Sequence, residues 1–154
     1  MRQRFHLLIA TIFIATMIAV PAWAQQPPLP RDKVDIIARA AYDNLDKALG
    51  PDAKPFTQEQ IKALPYPPVP YDMIEFVIHR GHIAGFAAHC KLDWQNKFYN
   101  PLMGFLRDRN KNFSDIQWAF VGMLHGTSMG GAEQAVKDEV CSEEMKAQLS
   151  KEGK

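Results

Sequence analysis

The chain has 154 residues, with 18 basic and 17 acidic side chains and a 47% apolar composition. That length suits one ordinary domain with a core that needs no metal to hold it. The near-balanced charge and the absence of a basic stripe argue against a nucleic-acid partner.

Residues 1–24 open with Arg2 and Arg4, run apolar from Leu7 to Val20, and close on Pro21 and Ala22-Trp23-Ala24 before Gln25. A charged start, a short apolar run and an A-x-A site are the order of a cleavable secretory signal, and the run is short for a membrane span. The expected product is an exported, soluble, periplasmic domain cut near Ala24/Gln25, with no membrane span after cleavage. Gln25 stands where a lipid-anchored protein needs Cys, and Arg2 and Arg4 are not adjacent, which disfavours lipidation and twin-arginine export. Losing two Arg leaves 16 basic against 17 acidic residues, a net charge near −1.

Residues 25–31 form a Pro-rich leader expected to be extended. Residues 32–154 are expected to form a single helical domain. Asp32 is placed to cap a first helix on which Val34, Ile37, Ala41, Leu45 and Ala48 recur at helical spacing, ended by Gly50-Pro51. Thr57 and Gln60 read as a capping box for a short helix. The prolines at 65, 67, 68 and 70 then make an extended connector. Asp72 and Glu75 suggest a second box, opening a long helix to Cys90 that is apolar nearly all round and therefore central. Asp93-Trp94 begins another turn, and Asn100-Pro101 starts a helix reaching Asn110. Ser114 and Gln117 start a helix drawn to Val140, and Ser142 with Glu143 and Glu144 a terminal one. With no strand-like alternation, the pattern is an all-α bundle of about four main helices plus short ones.

In an oxidising compartment, Cys90 and Cys141 read as one disulfide closing a loop of about 50 residues, and no C-x-x-C pair is present for redox exchange. Gly122, Gly126 and Gly130 recur every fourth residue, as Gly81 and Gly85 do. Each glycine costs a helix about 1 kcal/mol relative to Ala, so the two stripes imply that the helices cross closely there. With the disulfide tying their C-terminal ends, the pair should run parallel.

The segment Gly126-Thr127-Ser128-Met129-Gly130 matches G-x-S-x-G and resembles the nucleophile elbow of α/β-hydrolases. That chemistry needs Ser on a strand-to-helix turn, with an acid and then a His farther along the chain. No strand precedes Ser128 and no His follows His125. A hydrolase is therefore the third-ranked reading, and no catalytic residue is assigned.

Histidine supplies the second-ranked reading. At about 100° per residue, Glu75, His79, His82, Phe86 and His89 share an arc of roughly 80° on the central helix. His79 and His82, with His125 from the neighbouring helix, form a candidate zinc or copper set, and Met123 and Met129 suit Cu(I). His79 and His89 lie about 15 Å apart along the axis, too far for one mononuclear site. The leading reading has no cofactor. It is a non-enzymatic periplasmic binding or interaction protein, its groove along Glu75, Phe86 and His89 and its partner another periplasmic protein or a small ligand. Arg107, Arg109 and Lys111 form a basic cluster at a helix end, where cations suit the dipole. Trp94, Phe98, Tyr99 and Trp118 are spaced to bury in a helical core.

Overall fold

The computed structural model describes residues 29–153; the expected signal and most of the Pro-rich leader lie outside the described residues. The elements in order are α1 (Arg31–Asp43), a 3-10 turn (Leu45–Lys47), α2 (Gln58–Lys62), α3 (Tyr71–His89), a π-helical turn (Gln95–Tyr99), α4 (Asn100–Arg109), α5 (Asp115–Ala135) and α6 (Glu143–Glu152). The fold is all-α. Among the described residues the only β-type pairing is an isolated bridge between Leu49 and Pro55.

Helix starts follow local chemistry in three of the expected places. Thr57 and Gln60 form their capping box on α2, and Ser142 Oγ accepts the Met145 N–H (3.1 Å) on α6. At α5, Gln117 Oε1 accepts the Ser114 backbone N–H (2.9 Å). Gln117 Nε2 also donates to the Pro68 carbonyl (2.8 Å), which ties the proline connector to the head of α5. Two expected caps are not made. α1 and α3 have Pro30 and Pro70 at the N-cap, two residues ahead of Asp32 and Asp72, and neither has a side-chain cap. Proline fixes a φ compatible with helix entry and has no N–H to leave unpaired. Asp72 instead accepts from the Met73 N–H (2.9 Å), and Glu75 is exposed.

α5 stops at Ala135, short of the expected Val140. Continuing to Val140 would carry the chain about 8 Å farther along the axis. Cys141 instead returns to the end of α3, where it is bonded to Cys90 with Cα atoms 5.4 Å apart. His89 holds the returning strand of chain through a hydrogen bond between its Nε2 and the Glu139 carbonyl (2.9 Å).

The α3–α5 pair is the most extensive in the fold. A Cβ placed on Gly81 would lie 2.7 Å from Ser128 Cβ and 2.8 Å from the His125 carbonyl; one on Gly85 would collide with the Met129 carbonyl and Ala132 Cβ. Contacts that advance together along both helices mean they run parallel. The expectation that both stripes meet needs correcting, however. A Cβ on Gly126 or Gly130 would meet nothing within 4 Å, and Gly122 faces Tyr99. The glycines of α3 receive Ser128, Met129 and Ala132 of α5, not its glycines.

Two apolar clusters flank this crossing. The larger gathers α1, the first half of α3, α4 and the first half of α5 around Leu45, Ile74, Ile78, Phe120 and Leu124. Tyr42 donates to the Ile61 and Leu64 carbonyls (2.9 and 3.2 Å), fixing α2 to α1. The smaller joins Ile83, Ala84, Ala87 and Cys90 of the α3 end to Phe98 and Leu149. α6 lies along this end of α3, and Arg80 donates to the Glu152 carbonyl (3.3 Å).

Candidate functional site

The histidines diverge. His79 is exposed, and its pKa is lowered by partial burial and by Arg80 and His82. His82 points its Nδ1 at the Ile78 carbonyl of the preceding turn (3.0 Å). His89 is engaged by Glu139. His125 is 1% exposed, with its ring 5.0 Å from that of Tyr99 in an edge-on arrangement. Among the described residues no group of three or more His, Cys, Asp or Glu side chains is placed to hold a metal ion. This corrects the expected zinc or copper site at His79, His82 and His125. The helical arc sets side-chain directions on α3 alone, and a backbone carbonyl has claimed one ring nitrogen each of His82 and His89.

Burial drives the His125 pKa down to about 4, with Arg80 adding to the effect, so the imidazole is neutral near pH 7. Its Nε2 and the Ser128 Oγ are buried with no hydrogen-bond partner among the described residues. Ser128 is 2% exposed and sits in the middle of α5, so the G-x-S-x-G segment forms no strand-to-helix turn.

The expected groove along α3 is crossed by the chain's own C-terminal segment. Glu139 meets His89, Glu152 meets Arg80, and Phe86 packs partly buried against the cluster that holds Leu149.

A concave site lies elsewhere, between α4, the start of α5 and the loop after the 3-10 turn. Its cavity of about 370 Å³ is lined by Tyr99, Met103, Arg107, Asp115, Trp118 and Gly122, with Leu49, Gly50 and Pro51 as the opposite lip. A second depression of about 530 Å³ shares Gly50, Pro51 and Asp115 with it and continues toward Phe56 and Gln60. The first is a trough along the loop, and the second adjoins it.

Local structure explains how the trough is held. Tyr99, Met103 and Arg107 recur every fourth residue, and Asp115, Trp118, Ala119 and Gly122 at spacings of three, four and seven, so each helix presents one face. The lip is braced by Gly50 N–H to the Lys54 carbonyl (2.8 Å) and Ala53 N–H to the Gly50 carbonyl (3.0 Å), with Ala53 at φ 58°. Phe56 anchors it in the larger cluster. A Cβ on Gly122 would lie 3.6 Å from the Tyr99 hydroxyl, so the small residue leaves the floor open.

The Arg107 guanidinium lies 5.7 Å from the Trp118 ring centroid, and Trp118 is backed by Phe113 at 5.3 Å. Ion pairs among the described residues join Lys54 to Asp52 and Lys146 to Glu143, so neither Arg107 nor Asp115 is paired there. The trough thus combines half-buried aromatic surface, one cation and one anion. Periodicity on α4 and α5 was the available sequence signal. It read as a basic helix end and as core aromatics because the two faces meet only in three dimensions.

Comparison with known proteins finds no matching family model, no similar curated protein and no similar solved structure. Among the described residues no helix is long and apolar enough to cross a membrane.

Proposed function

We propose that the chain is a small exported, non-enzymatic binding protein of the periplasm, and that it takes a small ligand in the trough between α4, α5 and residues 49–55. The observation that carries this reading is the cavity of about 370 Å³ that places Tyr99 and Trp118 beside Arg107 and Asp115, neither of which has an ion-pair partner among the described residues. The lining is mixed, with aromatic rings beside a few convergent polar groups of the kind that orient a ligand in a small-molecule site. The signal-like residues 1–24 and the Cys90–Cys141 bond support export to an oxidising space.

A thermal-shift screen of the exported protein against a library of small polar metabolites tests it, with Trp118→Ala as the control. The expected result is at least one compound that raises the wild-type melting temperature and leaves that of the variant unchanged. Hits that act equally on both proteins place recognition outside the trough and overturn the reading.

A further inference from the structure

We infer that the ligand of this trough is a zwitterion with a flat or branched apolar group, that is, a free amino acid with a large side chain; this inference rests on the trough being the binding site. The argument is one of complementary charge. Arg107 offers a planar fork of donors suited to a carboxylate, and it has no carboxylate partner among the described residues. Asp115, on the facing helix, lines the same cavity and is likewise unpaired.

A simple organic anion satisfies Arg107 but brings its charge toward Asp115, and a simple amine does the reverse. A molecule carrying both an ammonium and a carboxylate satisfies both. The same cavity is also lined by Met103, Trp118, Ala119 and Gly122, which offer surface to an apolar side chain. The volume, about 370 Å³, is near the lower end for small-molecule sites and suits a ligand of amino-acid size.

The test is an NMR titration of the exported protein with three probes of one shape: L-phenylalanine, 3-phenylpropionate, which lacks the ammonium, and 2-phenylethylamine, which lacks the carboxylate. The reporter is the Trp118 indole N–H, assigned with Trp118→Phe. L-phenylalanine should bind about tenfold or more tightly than either analogue, the size expected for one charge-assisted hydrogen bond. Arg107→Gln should erase its advantage over 2-phenylethylamine, and Asp115→Asn its advantage over 3-phenylpropionate. Both side chains are exposed, so the fold tolerates the changes.

Equal binding of 3-phenylpropionate and L-phenylalanine at Trp118, unaffected by Asp115→Asn, overturns the zwitterion and leaves the trough as a site for organic anions. No response of Trp118 to any of the three probes also overturns it, while the library screen still decides whether the trough binds another class.

Discussion

The two ends of the α3–α5 pair are held by different means. At the N-terminal end 16 buried residues from five helices, the 3-10 turn and two loops close around Phe120 and Ile74, and apolar bulk does the holding. At the C-terminal end the cluster has six buried residues, one of them Cys90, and a covalent bond supplies what burial cannot. Between them the helices touch almost backbone to backbone at Gly81 and Gly85. The lesson is that a short chain extends a two-helix core beyond its apolar supply by narrowing the crossing and then stapling the end.

The largest effect should come from breaking the crossing that separates the ends. Gly85→Leu forces a side chain into the Met129 carbonyl and Ala132, and we expect a loss of about 4 kcal/mol or more, read by urea denaturation. An unchanged midpoint would show that the ends do not depend on this contact.

Removing the staple with a Cys90→Ala/Cys141→Ala double variant should cost up to about 4 kcal/mol for a loop of this length. The loss should be lopsided. Hydrogen exchange should accelerate in α6 while α1 keeps its protection, and uniform acceleration would show that the two ends unfold as one unit.

The joint should also titrate. The His125 pKa falls from 6.5 to about 4 on folding, so the unfolded chain binds a proton that the native protein refuses. The stabilising contribution of neutral His125 is therefore complete above pH 6.5. It is lost as pH falls toward 4, by about 3 kcal/mol in all, and changes little below that. His125→Phe should flatten this part of the stability–pH curve; the same slope in the variant would assign it to other groups.

Smaller effects fall at the edges. Gln117→Ala removes a helix cap and the Pro68 tether and should cost about 1 kcal/mol by thermal melting. Gly126→Ala should stabilise by up to about 1 kcal/mol, because an added Cβ meets nothing and helix propensity improves. Opposite signs at Gly85 and Gly126 would separate a packing glycine from a merely permissive one.

That pair of glycines also marks how far the sequence could be read. Helix identity was legible because capping pairs and 3.6-residue periodicity act within a few residues, and the disulfide because two cysteines admit one pairing. The spacing of glycines signalled a close crossing but not which residues of α5 would enter it, since Ser128 and Ala132 are small enough to do so. The histidine arc was a true property of α3 alone. Whether ring nitrogens converge depends on carbonyls and on a C-terminal segment that no local pattern specifies. The trough was least legible, because Arg107, Trp118 and residues 49–51 are brought together only by packing.

The 90–141 bond also makes a covalent ring out of α4, α5 and their connections. Tyr99, Met103, Arg107, Asp115, Trp118 and Gly122 all belong to that ring, whereas Leu49, Gly50 and Pro51 lie outside it. A single proteolytic cut anywhere between 90 and 141 leaves both walls of the trough on one covalently joined molecule. A cut in the exposed 51–55 segment instead severs the opposite lip from the ring, leaving noncovalent packing to hold it. Occupancy of the trough would therefore register most directly as resistance of that one segment to limited proteolysis.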